Sequence, residues 1–166
     1  MKIGLLSDTH SYLDDRILRH LQPCDEIWHG GDFGDVAVSE TLAALAPLRG
    51  VYGNIDDQQI RLLHPKVQRF TAAGLDVLMT HIGGYPGRYH PDIRPQIKAK
   101  PPQLFISGHS HILKIMPDKT APPLLHINPG AAGRQGFHRV RTLVKFEIQE
   151  GRILNLQVVE LGPRVA

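Results

Sequence analysis

The sequence is poor in cysteine. Cys24 is the single cysteine among 166 residues, whereas there are ten histidines. A lone cysteine excludes a disulfide framework and any zinc finger built on cysteine pairs. If this chain binds a metal ion, it therefore does so with histidine and carboxylate side chains.

Long apolar runs are also missing. No stretch approaches the roughly 18 apolar residues of a membrane span, so we expect no membrane partner. The apolar run at residues 3–6 is shorter than a signal-peptide core, which needs about 7–15 residues, and we interpret it as a buried first strand. With no disulfides and no such core, we expect a cytoplasmic protein.

A strong excess of one charge is missing as well. Lysine and arginine number 19 against 16 acidic residues, a formal net charge of +3. This excess is too small for a nucleic-acid footprint, and apolar residues interrupt the most basic segment, residues 134–145. We expect no nucleic-acid partner, which counts against a nuclease. With 42% hydrophobic residues, the length fits a single domain over residues 1–166.

Periodicity predicts an α/β fold. The first third reads β-α-β-α-β, with strands at residues 3–7, 26–29 and 49–52. The remainder is rich in β-structure, and we expect it to form a second sheet packed on the first. A hairpin is predicted at residues 66–80 and a loop at 83–95, which runs into a short helix at 93–98. Short strands are predicted from residue 104 to residue 161.

Ligand-type side chains follow five of these strands. Such strand ends are where open α/β sheets bind ligands. Nitrogen and oxygen donors without thiolate suit Mn²⁺, Ni²⁺, Fe²⁺ or Zn²⁺. Seven donors exceed one tetrahedral ion but suit two ions about 3.5–4 Å apart that share a carboxylate. The seven are Asp8, His10, Asp32, Asn54, His81, His109 and His111.

The order of these motifs, followed by Asn128-Pro129-Gly130, resembles the calcineurin-like metallophosphoesterases, in particular their small YfcE-type phosphodiesterase branch. The resemblance runs from Met1 to about Phe146. It implies a four-layer αββα sandwich, in which two mixed β-sheets are flanked by helices.

The resemblance also implies roles for individual residues. Asp8, His10, Asp32 and His111 would hold the first metal ion. Asp32 would bridge to a second ion held by Asn54, His81 and His109, with Asp32, Asn54 and His109 counted as catalytic.

Two positions depart from the family pattern. Many members have a histidine after Gly-Asn that is thought to protonate the leaving group, and this chain has Ile55 there. The segment Thr80-His81-Ile82-Gly83 likewise lacks a second histidine. We therefore expect a preference for acidic leaving groups such as phenols or anhydrides.

Other residues are candidates for supporting roles. Arg134 either contacts a phosphate oxygen or is a solvated surface residue. Tyr85, in the loop after His81, either contacts substrate or belongs to a solvated surface loop. His29 either orients the site or fills space at a strand end. We interpret His64 as a surface or capping residue.

The motifs predict a binuclear metal-dependent phosphoesterase. A hydroxide bridging the two ions would attack the phosphorus of a small phosphodiester in line. The alternative is a scaffold for protein interaction, like the phosphoesterase-like retromer subunit, although a scaffold has no need of all seven ligands. The resemblance is also compatible with a homo-oligomer.

Overall fold

The computed structural model describes residues 1–165, which contain twelve strands and four helices. The helices are α1 (Asp15–Leu21), α2 (Val36–Leu45), α3 (Gln58–Leu63) and α4 (Arg94–Ala99). The strands are β1 (Lys2–Leu6), β2 (Glu26–His29), β3 (Leu48–Gly50), β4 (Val67–Ala72), β5 (Leu75–Thr80), β6 (Gly84–Tyr85), β7 (Arg88–Tyr89), β8 (Leu104–Ile106), β9 (Leu113–Pro117), β10 (Leu125–Pro129), β11 (Val140–Gln149) and β12 (Arg152–Pro163).

Ten of these strands form two five-stranded sheets. The first sheet has the order β12-β11-β1-β2-β3 and the second the order β4-β5-β8-β10-β9. Both are mixed: β1 pairs in parallel with β2 but antiparallel with β11, and β5 pairs in parallel with β8 but antiparallel with β4. The predicted α/β class with two mixed sheets is confirmed.

The two sheets pack face to face and helices cover their outer faces. Neighbouring residues of β1 show this, since Leu5 packs between the sheets whereas Leu6 packs with α1, α2 and α3. Successive side chains of a strand point to opposite faces, so a strand buried on both faces reads as a continuous apolar run. On the other side, Leu78 and Phe105 pack against Ile97 of α4, which completes the αββα layering.

One prediction about the second half is wrong. Strands β11 and β12 do not join the second sheet, because β11 pairs with β1 and β12 with β11. The alternating residues Val144, Phe146 and Ile148 do face the interior between the sheets. Alternation identifies the buried face of a strand but not its pairing partner, and either sheet would have buried these side chains.

The loops also contain structure that periodicity did not predict. Helix α3 has six residues, and Asp57 caps it by accepting a hydrogen bond from the Ile60 amide. The predicted loop at residues 83–95 includes the small β6–β7 hairpin. Among the described residues, no helix is long and apolar enough to cross a bilayer.

Candidate metal centre

All seven predicted ligands lie in loops that follow strand ends at one edge of the sandwich. The first sheet supplies Asp8 and His10 after β1, Asp32 after β2, and Asn54 after β3. The second sheet supplies His81 after β5, and His109 and His111 after β8. The structure gathers six of them into two groups whose donor atoms lie within 4.8 Å of one another, and both groups contain Asp32.

The first group consists of Asp8, His10, Asp32 and His111. His111 Nε2 lies 3.1 Å from Asp8 Oδ1, and His10 Nε2 lies 4.0 Å from the same oxygen and 3.4 Å from Asp32 Oδ2. Ligands held at about 2.0–2.2 Å from one ion lie about 3 to 4.4 Å from one another. The spacing in this group is that of ligands around a common centre.

The second group combines Asp32 with His81 and His109. Asp32 Oδ2 lies 3.2 Å from His81 Nε2, so the oxygen that faces His10 also faces His81. Asn54 completes the group, because its Oδ1 lies 3.1 Å from His81 Nε2 and 3.0 Å from His109 Nδ1. Asp32 Oδ2 therefore stands between two sets of donors.

Two atoms of the first group show what the site requires. Asp8 Oδ1 and His10 Nε2 are buried, and neither has a hydrogen-bond partner within residues 1–165. A buried polar atom without a partner costs about 1–3 kcal/mol, and such atoms are rare in native proteins. A cation would satisfy both atoms at once, so the donor set fits a divalent metal ion.

The protein fixes each carboxylate by one oxygen and directs the other into the centre. Asp8 Oδ2 accepts hydrogen bonds from Ser7 Oγ at 2.6 Å and from the His109 amide at 3.2 Å. Asp32 Oδ1 accepts one from the Ile55 amide at 3.1 Å. Such contacts orient ligands before a metal ion arrives.

The ring of His81 is fixed in the same way. Its Nδ1 lies 2.8 Å from the carbonyl oxygen of Gly30. A carbonyl can only accept, so Nδ1 carries a proton, and Nε2 is the nitrogen that is directed into the centre. His81 therefore presents a metal-binding nitrogen without any rearrangement.

The backbone at the centre adopts an uncommon conformation. Five ligands have a positive φ angle: Asp8 (54°), His10 (45°), Asp32 (57°), His109 (71°) and His111 (61°). The left-handed region is unfavourable for residues with a side chain, and such strain is typically retained at functional sites. Here it turns each chain segment sharply after its strand, so that the side chain faces the centre.

Two glycines allow the loops to approach one another. A Cβ atom at Gly53 would clash with the carboxylate and amide of Asp32, and one at Gly108 would clash with Ser7 Oγ and crowd Asp8 Oδ2. Gly53 directly precedes Asn54 in the chain, and Gly108 directly precedes His109. The structure shows that each makes room for an aspartate of another loop.

The electrostatics follow from burial and close pairing. Burial by itself raises the pKa of Asp32, but the imidazole rings of His10 and His81 beside its carboxylate outweigh burial and hold that pKa far below its usual range. Burial lowers the pKa of His81, yet the Asp32 carboxylate reverses this and leaves it raised. The Asp8 carboxylate, whose Oδ1 lies 3.1 Å from His111 Nε2, raises the pKa of His111. Asp32 is thus a carboxylate at neutral pH.

His29 lies beneath the centre and contacts it indirectly. It is fully buried, its Nδ1 accepts a hydrogen bond from the Gly31 amide, and its Nε2 lies 3.0 Å from Thr9 Oγ1. Since Thr9 separates Asp8 from His10, His29 supports the loop that carries both ligands.

The ring of His29 also belongs to a buried stack. It stacks on Phe33 at 3.7 Å between centroids, and Phe33 stacks on His64 at 4.5 Å. His64 is buried and its Nε2 lies 2.8 Å from Ser39 Oγ, so its predicted surface position is wrong, although it does cap α3. A histidine before proline gives no sequence signal of such stacking.

The two predicted substrate-binding residues lie in different places. Arg134 holds its guanidinium 4.3 Å above the ring of Tyr12, outside the cavities that border the ligands. Tyr85 lines a cavity of about 350 Å³ together with His109 and Lys114. The Lys114 ammonium lies 3.8 Å from the centroid of the Tyr85 ring.

Asp56 is a structural residue of the site that sequence reasoning missed. Its carboxylate accepts hydrogen bonds from the amides of Gly34 at 2.9 Å and Gly53 at 2.7 Å. It thereby ties the loop after β2 to the loop after β3. The sequence signal for this role is its position in Gly53-Asn54-Ile55-Asp56, two residues after the predicted ligand Asn54.

An αββα sandwich with Asp, His and Asn donors gathered at its strand ends indicates an α/β protein with a candidate metal site, and a family model matches most of the chain. Residues 1–151 match the family model described as the calcineurin-like phosphoesterase superfamily domain. The chain belongs to this superfamily. No curated protein is significantly similar to it in sequence.

Solved structures share the fold. Vps29 from Entamoeba histolytica complexed with Zn²⁺ is 16% identical with a TM-score of 0.72, covering 98% of this chain and 100% of that one. An archaeal phosphodiesterase is 21% identical with a TM-score of 0.72, covering 96% and 99%. A predicted phosphoesterase from Streptococcus pneumoniae is 18% identical with a TM-score of 0.69, covering 96% and 89%.

Proposed function

We propose that this protein is a phosphodiesterase that uses two divalent metal ions to hydrolyse small phosphodiesters. The observation that carries the proposal is the position of Asp32 Oδ2, which faces donors of both groups at 3.4 and 3.2 Å. A carboxylate shared in this way is the hallmark of paired metal ions in phosphoryl-transfer sites. Mn²⁺, Ni²⁺, Fe²⁺ and Zn²⁺ all suit the donors present.

The residues of the chain prepare this site for metal and phosphate. When bound, two divalent ions supply Lewis acidity that yields a nucleophile near neutral pH and offsets charge on phosphoryl oxygens. Asp8 and Asp32 supply the negative charge that attracts the ions. Asn54 and His109 are exposed, so their side of the centre faces incoming substrate.

The side chain at position 55 limits the choice of substrate. Ile55 is 46% exposed beside Asn54, and it cannot donate a proton to a departing alkoxide. A leaving group that is stable as an anion needs no such donor. We therefore expect phenolic esters and anhydrides to be cleaved much faster than simple alkyl esters.

The first experiment measures hydrolysis of bis-p-nitrophenyl phosphate with Mn²⁺, Ni²⁺, Fe²⁺ or Zn²⁺ added to metal-free protein. We expect turnover with at least one of them, and a loss of at least 100-fold in Asp32→Asn, because both ions lose their shared ligand. Asp15→Asn is the matched control, since Asp15 is exposed in α1. Absence of turnover with every metal would overturn the proposal.

The alternative function is a scaffold that keeps the fold for protein interaction. Exposed apolar side chains next to the ligands favour it, namely Ile55, Ile82 and Ile112. Metal content after purification without chelator separates the two functions. Two equivalents of metal together with turnover support the enzyme, whereas negligible metal and no turnover support the scaffold.

A further inference from the structure

A cavity of about 320 Å³ opens beside the second group of ligands. Asn54 and His81 line one part of it, and Tyr52, Arg61 and Lys66 line another. The cavity therefore connects the candidate metal centre with helix α3, where Arg61 lies. A substrate held at the centre can extend into this space.

Two contacts fix the guanidinium of Arg61 at this cavity. Its Nε donates a hydrogen bond to the carbonyl oxygen of Asp56 at 2.8 Å, and its Cζ lies 4.6 Å from the centroid of the Tyr52 ring. The first contact fixes one edge of the planar group and the second fixes its face. The side chain of Arg61 is thus already ordered in the free protein, so ligand binding costs less side-chain conformational entropy.

The remaining donors of Arg61 are free. Neither terminal nitrogen takes part in a hydrogen bond or an ion pair with any other residue between positions 1 and 165. A guanidinium presents these nitrogens as a fork that matches the oxygens of phosphate. Arg61 is exposed, so an incoming anion can reach them.

Lys66 and Asp92, which also line the cavity, pair with each other and not with Arg61. Lys66 Nζ lies 3.6 Å from Asp92 Oδ2, and both residues line the cavity. The positive charge of Lys66 and the negative charge of Asp92 offset each other. No other carboxylate within residues 1–165 lines the cavity, so none is left to pair with Arg61. The field inside the cavity therefore favours an anion near Arg61.

We infer that Arg61 binds a second phosphoryl group of the substrate, distinct from the phosphodiester that is cleaved. The inference rests on the proposed function and narrows it to phosphodiesters that carry a further terminal phosphate. Arg61 acts in specificity, because it contacts the distal part of the substrate. Arg134, which the sequence offered as one candidate for a phosphate contact, lies outside this cavity.

The test compares two substrates that differ by one phosphate. Thymidine 5′-(p-nitrophenyl phosphate) and its 3′-phosphorylated form release the same p-nitrophenol. We expect the wild-type protein to show about tenfold higher kcat/KM for the 3′-phosphorylated form, as for one charged hydrogen-bonded pair. Arg61→Ala should abolish this preference, and Arg61→Met should do the same while retaining the apolar stem over Tyr52.

Arg152→Ala is the matched control, because Arg152 is an exposed arginine at the start of β12. It removes the same charge and should keep the preference. Equal kcat/KM for both substrates in the wild-type protein, or a preference that survives in both Arg61 variants, would overturn the inference.

A binding measurement settles the inference without turnover. Calorimetry with metal-loaded protein compares thymidine 3′,5′-bisphosphate with thymidine 5′-monophosphate. We expect the bisphosphate to bind about tenfold more tightly to the wild-type protein and no more tightly to the Arg61 variants. If hydrolysis fails but this difference is found, the proposed function is wrong and the anion site stands. If hydrolysis succeeds but the difference is absent, the anion site is wrong.

Discussion

Gly53 illustrates how single residues determine the geometry of the centre. It lies directly against Asp32, where a Cβ atom would clash with the aspartate carboxylate and amide. Asp56 holds the amide of Gly53 in place, and the Ile55 amide holds Asp32 Oδ1. The position of the shared carboxylate thus depends on a residue that has no side chain.

We therefore expect Gly53→Ala to disturb both metal positions. Overpacking of this kind costs about 1–3 kcal/mol of stability, and displacement of Asp32 removes the oxygen common to both ligand groups. Urea unfolding and metal stoichiometry measure the two effects. Gly87→Ala is the control, because its φ angle of 88° is strained for alanine but its Cβ would have no neighbour within 4 Å. Full metal stoichiometry in Gly53→Ala would contradict this account.

Among single residues, the metal ligands are predictable from the sequence, whereas the contacts of Arg61 are not. The seven ligands were predicted because each follows an apolar strand in a fixed order, and order along the chain is visible without coordinates. The anchoring of Arg61 was not predictable. It depends on a backbone carbonyl and an aromatic ring that reach it only through the path of the loop between β3 and α3.

At the level of elements, two sheets deliver ligands to one edge. Strands β1, β2 and β3 bring the aspartates and Asn54, whereas β5 and β8 bring three of the four ligand histidines. The β-α-β-α-β pattern predicted the parallel part of the first sheet. It could not predict that β11 closes that sheet against β1, because the pairing spans more than a hundred residues and local patterns carry no register information.

Strand β10 contains a buried histidine that makes the second sheet sensitive to pH. His126 Nδ1 lies 3.1 Å from the carbonyl oxygen of Phe105 in the neighbouring strand β8, so the ring donates across the sheet. Burial lowers the pKa of His126 to about 4. The nearby Lys114 ammonium acts in the same direction, whereas the bond to Phe105 opposes it.

The unfolded chain therefore binds a proton at His126 at higher pH than the folded protein does. As the pH falls below about 6.5, the unfolded state gains this proton first and stability declines until the folded pKa is reached. Between pH 7 and 4.5 we expect this residue to account for roughly 2–3 kcal/mol of the decline. Urea unfolding across this range should show a shallower decline for His126→Gln than for wild type. If His126→Gln and the wild-type protein have equal slopes, the attribution to His126 is wrong.

At the level of the whole molecule, the candidate centre joins the two halves of the sandwich. Asp8 and His10 belong to loops of the first sheet, and His111 belongs to a loop of the second, yet all three are in one ligand group. In the core between the sheets the contacts are apolar and without direction. Bound metal would add directional bonds between the sheets at this edge and would satisfy the buried atoms of Asp8 and His10 that lack partners.

Metal removal should therefore lower the stability of the entire domain. Each site held at 100 times its Kd contributes about 2.7 kcal/mol, so two sites contribute about 5 kcal/mol in total. For a chain of this length that corresponds to a decrease in Tm of about 10–20 °C on chelation. Differential scanning calorimetry of metal-loaded and chelated protein measures it. Asp32→Asn should show little of this decrease, and Asp15→Asn should show all of it. A Tm that does not change when the metal content falls from two equivalents to zero would mean that the ions do not link the two sheets.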